Sequence, residues 1–254
     1  MKFSCDNKIL SNAIQTSTLK GKYYTSSGLK NKFLSEYLYL VCKGNTLTIH
    51  NADETLCLTL NITVEGIEDG SATIEGNTLI TYLKKFSDNT TLEFKDYLTM
   101  RGAGKTAKMA LVVNHPHMNM INNFNQHEAE FNVLTPLDLV KSWGGKTSFS
   151  TRINIDSQVL SDAIDSCEIV GTGIYKFDYG EEFTVSSDED FKGFKTVVEG
   201  ITGEGEESTV EFTAPVHKFF NNAGTVDILF SDDSLILMLA IDRKLVKAPF
   251  VRLR

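Results

Sequence analysis

The segment Leu10-Ser-Asn-Ala-Ile14 returns 150 residues later as Leu160-Ser-Asp-Ala-Ile164. In both places a short stretch of alternating apolar and polar residues precedes it and ends in an aspartate, Asp6 in the first copy and Asp156 in the second. Alternation predicts a strand, an aspartate suits a helix N-cap, and the following apolar positions recur at helical spacing. The chain of 254 residues is therefore predicted to contain two related halves, each opening with a strand and a helix.

A second pair of matching segments supports this duplication. Lys84-Lys-Phe86 followed by Thr91–Phe94 matches Lys218-Phe-Phe220 followed by Thr225–Ile228, at an offset of 134 residues. The two offsets differ by about the length of the basic segment 18–32, which has no counterpart in the second half and whose composition is typical of a mobile loop. One deletion reconciles both offsets, so each half is predicted to run strand, helix, strands, helix, strands.

The predicted organisation is two domains joined by a long connector. The first pattern of strands and helices covers 1–113, the second covers 148–254, and the connector occupies 114–147. This connector is longer than most loops of compact domains, and residues 136–143 within it fit a short helix.

Composition and charge narrow the classes of protein. Apolar residues make up 41% of the chain and charged residues 23%, as in soluble globular proteins, and no apolar run is long enough for a membrane span. The N-terminus lacks the layout of a secretion signal, and the four cysteines show no CxxC spacing. We therefore expect buried thiols in a reducing, intracellular compartment, such as cytoplasm, nucleoid, nucleus or a host cell. The net charge is −8, so any DNA contact is expected through a local patch or by encircling.

Segments that resemble phosphate-binding or metal-binding motifs do not indicate a catalytic site. Gly102-Ala-Gly-Lys-Thr106 resembles the end of a phosphate-binding loop, but Thr99 stands where that motif needs a glycine. Because it lies between two predicted strands, we interpret it as a hairpin turn. Four residues near the connector have the chemistry of metal ligands, but their spacing shows no convergent geometry and we interpret them as a polar loop. These are His115, His117, His127 and Glu128. We predict no enzyme activity, no metal and no cofactor.

The order of elements resembles that of the DNA sliding clamps, the family of proliferating cell nuclear antigen (PCNA) and the bacterial β clamp. Met1-Lys-Phe3, Asn45–Ile49 and Gly76–Phe86 look like the corresponding parts of a first clamp domain. Ser231–Leu235 and Val246–Pro249 resemble the end of PCNA, and only about 114–148 lies outside the resemblance. It implies an α+β fold with two tandem clamp domains, each with two helices packed on antiparallel sheets. Two domains per chain imply a homotrimer that closes head to tail into a ring.

The resemblance also implies a function. Clamps encircle duplex DNA and tether DNA polymerase and other replication and repair proteins, which raises processivity through effective concentration. A closed ring implies an ATP-dependent clamp loader as a further partner. Two alternatives stay open: a clamp-fold processivity subunit that binds DNA as a monomer or dimer without encircling it, and a β-rich scaffold or ligand-binding protein unrelated to DNA.

Family geometry assigns three sets of residues. Helices that line the hole imply a DNA-binding set of Lys8, Asn12, Gln15, Lys20, Lys84, Lys85, Gln158, His217 and Lys218. The outer groove for partner peptides corresponds to His50, Met118, Met120, Ile121, Leu235, Pro249 and Phe250. The subunit interface corresponds to the edge strand with Ala107, Met109, Leu111 and Val113 and to the edge strand with Phe191, Phe194, Thr196 and Val198.

Two features depart from the family pattern. The third helix offers Asp162 and Asp165 where a clamp would often carry lysine or arginine. The connector is longer than its family counterpart, and we interpret the part around Trp143 as an insertion that covers the groove or extends an interface. The first departure weakens the expected DNA contact of the second half.

Overall fold

A computed structural model describes residues 1–25, 27–131, 140–142, 145–147, 149–232 and 235–250, of which 24–25, 125–131, 140–142 and 145–147 are described as backbone only. The chain forms two compact units. Unit one comprises 1–20, 33–54 and 58–121, and unit two comprises 21–32, 55–57 and 122–254. Among the described residues, no helix is both long enough and apolar enough to cross a membrane.

The elements of the first part of the chain alternate between strands and two helices. In order they are β1 (Lys2–Asp6), α1 (Asn7–Thr18), β2 (Gly21–Thr25), β3 (Gly28–Lys32), β4 (Tyr37–Lys43), β5 (Thr46–Ala52), β6 (Leu56–Thr63), β7 (Glu65–Glu68), β8 (Gly70–Glu75), α2 (Gly76–Leu83), β9 (Asn89–Phe94), β10 (Tyr97–Gly102) and β11 (Lys105–Ala110).

The rest of the chain opens with a helix and two short strands and then repeats the pattern. In order the elements are α3 (Met118–Phe131), β12 (Val140–Ser142), β13 (Gly145–Thr147), β14 (Thr151–Asp156), α4 (Ser157–Cys167), β15 (Ile174–Tyr179), β16 (Phe183–Glu189), β17 (Lys192–Val197), β18 (Thr202–Gly205), β19 (Ser208–Thr213), α5 (Val216–Phe219), β20 (Thr225–Phe230), β21 (Ile236–Ala240) and β22 (Arg243–Lys247).

Each unit contains two larger antiparallel sheets and a pair of packed helices, and unit two also holds the two-stranded sheets β2–β3 and β12–β13. In unit one the first sheet has the strand order β11-β10-β9-β1-β7, and the second has the order β6-β5-β4-β8. Strand β6 belongs to this unit from Leu58 onward. Helix α1 packs on α2. In unit two the strand orders are β18-β14-β20-β21-β22 and β17-β16-β15-β19, and α4 packs on α5. Alternating burial along the strands sends one side of each sheet into an apolar core, as in β4 and β14.

The duplication is visible in the pairing of strands. Phe3 lies opposite Leu92 in unit one, and Ile153 lies opposite Ile228 in unit two. The first strands of the two units are therefore offset by 150 residues. The strands that pair with them are offset by 136 residues, whereas the sequence match predicts 134. A shift of two residues keeps every side chain on the same face of a strand, which is why the shifted match still aligned apolar with apolar positions.

The segment 18–32 is not the loop that its composition predicts. It forms the β2–β3 hairpin, in which Gly21 pairs with Lys32 and Thr25 with Gly28. The hairpin packs closely within unit two: Leu29 lies against Gly173, and a side chain added at Gly173 would collide with it. Docking of this kind depends on residues more than 100 positions away, and local composition does not report it.

The connector also differs from its prediction. A helix, α3, begins at Met118, where the sequence suggested only an irregular polar segment. Of the predicted helix at 136–143, Val140–Ser142 is a strand and the other residues, including Trp143, lie outside the described part of the chain. The domain boundaries 1–113, 114–147 and 148–254 stay a prediction.

Candidate nucleic-acid interface

The two long helices α1 and α4 are built in the same way. Asp6 accepts hydrogen bonds from the backbone N–H groups of Lys8 and Ile9, and Asp156 does the same for Gln158 and Val159. These caps satisfy donors that the first helical turn leaves without partners. The inward positions are buried in both copies: Leu10, Ala13 and Ile14 in α1, and Leu160, Ala163 and Ile164 in α4. The opposite faces remain for contact with another molecule.

In unit one the outward face is polar and basic. Lys8, Asn12 and Gln15 are exposed on α1, and Lys84 and Lys85 are exposed directly after α2. The described residues give none of these lysines an ion-pair partner, so their charges are available to phosphates.

The structure adds Lys105 to this basic group. Its Nζ donates a 2.7 Å hydrogen bond to the backbone carbonyl of Lys85, which brings a third ammonium group to the end of α2. The β10–β11 hairpin makes this possible, with Ala103 and Gly104 both at positive φ in the turn. The hairpin prediction for 102–106 is thus confirmed. The lysine of that motif was a clue in the sequence, but only the fold shows that it lies beside α2.

In unit two the outward face is acidic, and its carboxylates engage the residues expected to meet DNA. Gln158 is exposed but donates to Asp162 Oδ1 at 2.8 Å. Lys218 lies 3.4 Å from Glu168 Oε1 and forms an ion pair with it. Asp165 is exposed on the same helix. Acidic residues of this face, Asp162 and Glu168, therefore hold polar groups that were expected to meet DNA.

His217 is placed differently from the prediction. Its side chain is fully buried, and Nε2 lies 3.0 Å from Asp165 Oδ1, so it cannot reach DNA from this position. Burial lowers the pKa of His217 to about 4, because the interior disfavours the charged imidazolium. The sequence shows a histidine beside a lysine on a short helix, and this does not reveal which of the two faces inward.

Lys20 is exposed after α1, as predicted. Its Nζ lies 5.3 Å from the centre of the Phe33 ring, a cation–π distance. Lys32 lies at the same distance from the ring of Tyr23 on the facing strand. The basic segment is therefore a structured hairpin with its ammonium groups at the surface.

Two of the four predicted groove residues of unit one are buried. His50 Nδ1 lies 2.9 Å from Thr59 Oγ1, and burial together with nearby His115 lowers the pKa of His50 to about 4. Ile121 is also fully buried, because it lies on the inward side of α3. These two side chains are core residues in this structure, which corrects their assignment to the groove for partner peptides. Met118 and Met120 remain partly exposed.

The groove residues of unit two show the same division. Leu235 is buried beside the start of β21. Pro249 and Phe250 are partly exposed, and the backbone N–H of Phe250 donates to the carbonyl of Glu211 at 2.7 Å. This bond holds the segment after β22 against β19.

The predicted interface strands lie at sheet edges. Among the described strands, β11 ends one sheet of unit one and β17 ends one sheet of unit two. Val113 is 92% exposed and Phe191 is 99% exposed, which is unusual for large apolar side chains. Ala107, Leu111, Phe194 and Thr196 are partly exposed or exposed. Met109 and Val198 are buried within the chain, so their predicted contact role is corrected.

The backbone engages the described histidine side chain His115 on both sides of its ring. His115 Nε2 lies 3.0 Å from the carbonyl of Tyr37, and His115 Nδ1 accepts from the backbone N–H of His117 at 3.0 Å. Both ring nitrogens of His115 are thus engaged. The side chains of His127 and Glu128 lie outside the described part of the chain.

Elements in this order form the fold of the DNA sliding clamps, and solved structures of that class match the chain along its whole length. A DNA polymerase III β subunit from Thermotoga maritima is 13% identical with a TM-score of 0.67, covering 100% of this chain and 66% of its own. A β clamp from Helicobacter pylori bound to a DNA ligase peptide is 15% identical with a TM-score of 0.69. The match covers 100% of this chain and 68% of the Helicobacter chain. The chain thus spans about two thirds of these bacterial clamps.

A shorter clamp matches over its full length. A chain of the PCNA2–PCNA3 complex from Sulfolobus tokodaii is 14% identical with a TM-score of 0.69. The match covers 98% of this chain and 99% of the Sulfolobus chain. No protein-family model and no curated protein sequence matches the chain. At these identities the likeness shows the fold, and the predicted α+β class and the resemblance to sliding clamps are confirmed.

Proposed function

We propose that this chain is a sliding clamp: a ring that encircles duplex DNA and tethers DNA polymerase and other replication and repair proteins. One observation carries the proposal. The clamp fold is present in two copies, each with a helix pair whose inward face is apolar and whose outward face is polar. This role needs position and topology, and it requires no catalytic group.

The proposed assembly is a homotrimer. The chain has the length of a clamp with two domains, since it and the Sulfolobus chain cover each other almost completely. Three such chains supply the six domains of a ring. We propose that β11 of one copy pairs with β17 of the next, because both strands lie at sheet edges and carry exposed apolar residues nearby.

Partner binding is proposed on the same grounds. The Helicobacter clamp holds a DNA ligase peptide, so the clamp fold can accept a short peptide. We propose that Met118 and Met120 in unit one, and Pro249 and Phe250 in unit two, contribute apolar contacts to such peptides. A closed ring must be opened before it can surround DNA, so we also propose an ATP-dependent clamp loader as a partner.

The four cysteines are buried and free of disulfides, which supports a site of action inside the cell.

The second candidate function is a processivity subunit that binds DNA without encircling it. A specific observation favours it: the basic outward face is confined to unit one, whereas the cation of Lys218 in unit two is paired with Glu168. A single basic surface can hold DNA on one side only. The number of chains per particle separates the two candidates.

Mass in solution is the decisive first measurement. A chain of 28.2 kDa that sediments as a trimer supports the ring. A monomer whose mass does not change with concentration contradicts it and supports the second candidate. Retention on closed circular DNA, with loss of the protein when the circle is cut, then tests encirclement.

Charge reversal tests the DNA-facing helices. Lys84→Glu combined with Lys218→Glu is expected to weaken retention on DNA at least tenfold, because two phosphate contacts become repulsive. The trimer should be unaffected, since Lys84 and Lys218 belong to neither β11 nor β17. Lys176→Glu, on a β15 strand with no assigned DNA contact, is the matched control. Unchanged retention in the double variant would refute the assignment of these faces.

A further inference from the structure

Three side chains of unit two bring possible metal ligands together at the end of α4. Ligand atoms of Asp165, Glu168 and His217 all lie within 4.8 Å of one another. They come from α4, from the residue after it and from α5, so the packing of α4 on α5 creates the cluster. Nitrogen and oxygen ligands around zinc lie at about 2.0–2.2 Å, so small side-chain rotations would bring all three onto one ion.

The first copy of the helix pair carries no such cluster. Gln15 and Thr18 stand at the offset of 150 from Asp165 and Glu168, and Leu83 stands at the offset of 134 from His217. The last equivalence has structural support, because Phe86 N–H bonds to the carbonyl of Leu83 just as Phe220 N–H bonds to that of His217. All three ligand types therefore belong to the second copy alone.

A buried histidine in place of a leucine requires a reason. Leu83 and His217 are both fully buried, but the imidazole loses its contacts with water. Its Nε2 faces Asp165 at 3.0 Å, and its Nδ1 has no hydrogen-bond partner among the described residues. Apolar packing alone would be served better by leucine. The histidine therefore points to a role that uses a ring nitrogen at the cluster.

Neighbouring groups hold the two carboxylates in place. Ser161 Oγ donates to Asp165 Oδ2 at 3.4 Å, which leaves Oδ1 toward His217. The Tyr175 side chain is nearly fully buried and lies beside Glu168. Partners of this kind orient the ligands of metal sites. Lys218 is the competing cation, since it also pairs with Glu168.

We propose that Asp165, Glu168 and His217 bind one divalent transition-metal ion of the zinc class. Mixed imidazole and carboxylate ligands suit such an ion, and three protein ligands leave a coordination position for water or another oxygen ligand. The ion takes the place of Lys218 at Glu168 and releases the lysine. It thereby adds positive charge to the acidic outward face of unit two.

Metal binding is tested on the full chain without DNA. After removal of metal by a chelator, titration calorimetry with Zn²⁺ is expected to show one site per chain. Asp165→Gln and His217→Leu introduce the residues of the first copy, and each should weaken binding about tenfold or more, since loss of mere outer-shell partners already costs about 10–100-fold. Because Asp165 is exposed, its variant keeps the test valid if His217→Leu fails to fold.

Asp162→Asn is the matched control. It removes a carboxylate from the same helix one turn earlier, it introduces the residue of the first copy, Asn12, and it leaves the cluster intact. Zn²⁺ affinity should be unchanged. No site in the parent chain, or equal affinity in the parent, Asp165→Gln and His217→Leu, would overturn the proposal.

A DNA measurement tests the consequence for Lys218, which rests on the proposed function. Zn²⁺ is expected to increase retention on DNA severalfold in the parent, and Lys218→Ala should remove this increase while Zn²⁺ still binds. If Zn²⁺ binds but DNA is not retained under any condition, the proposed function is refuted and the metal site stands. If DNA is retained but Zn²⁺ does not bind, the metal site is refuted and the proposed function stands.

Discussion

The α1–α2 pair and the α4–α5 pair share their inward faces and differ in their outward faces. Leucine, alanine and isoleucine occupy the same buried positions of α1 and α4, and each helix begins at an aspartate cap. Outward, the first pair presents lysines to which the described residues give no ion-pair partner, whereas the second presents carboxylates that hold Gln158 and Lys218. The comparison teaches that the apolar core preserves the fold while the solvent face is free to acquire a different electrostatic role.

The largest expected effect tests the shared face. Leu10→Ala and Leu160→Ala should each lower the free energy of unfolding by about 2–5 kcal/mol, because each removes a fully buried side chain and leaves a cavity. Chemical denaturation of each unit's transition measures this. The exposed pair Ile9→Ala and Val159→Ala is the control and should cost much less. A small loss at only one of the two leucines would break the equivalence of the helices.

The next effect concerns the buried position that differs, Leu83 against His217. The pKa of His217 is about 4 in the folded chain and about 6.5 when unfolded, so the unfolded chain binds the extra proton between these values. Stability should therefore fall as pH drops from 6.5 toward 4, by up to about 1.4 kcal/mol per pH unit for this one group. The charged groups that face His217 are the same in the parent and in the His217→Leu variant. They are Asp165, Glu168 and Lys218.

His217→Leu, which restores the residue of the first copy, should remove this contribution. Its stability against pH between 4 and 6.5, measured with a chelator present, should have a shallower slope by one proton than that of the parent. His50 and His115 also have pKa values lowered to about 4 by burial, but they are present in both proteins and cancel. An unchanged slope would mean that His217 is not buried as a neutral base.

The smallest effect separates the lysines of the two outward faces. Lys84→Ala should reduce the dependence of DNA binding on salt by about 0.9 in the log–log slope, because one phosphate contact is lost. In metal-free protein, Lys218→Ala should change the slope by less, since Glu168 already neutralises this lysine. Binding titrations over a range of salt concentrations measure both slopes. Equal changes would remove the electrostatic distinction between the faces.

Much of the fold could be predicted because it depends on local patterns. The strand, the aspartate cap and the apolar spacing of 2–14 recur at 152–164, and both segments fold as predicted. The hairpin at 102–106 follows from its two glycines: Gly102 precedes the turn and Gly104 lies within it. Helix α3 was missed because its apolar residues are few and its asparagines are typical of loops.

The candidate site was predicted only in part. The exposure of Lys8 follows from helical periodicity, which places it opposite the buried leucine of α1, whereas Lys84 and Lys85 were predicted at the end of the second helix. Lys105 was missed because its hydrogen bond to Lys85 spans two strands and a turn. His217 and Lys218 are adjacent in sequence, and a helix as short as α5 gives no periodicity to separate the buried from the exposed residue.

By itself, the sequence determined the duplication, the order of elements and the inward face of each long helix. These depend on apolar spacing and caps, which act within a few residues of the chain. Only the tertiary structure decided that the 18–32 segment docks as a hairpin and that Lys105 lies beside Lys85. It also brought Asp165, Glu168 and His217 together from two helices. The physical reason is that burial and electrostatic pairing depend on distance in space, and residues about 50 positions apart become neighbours only when α4 packs on α5.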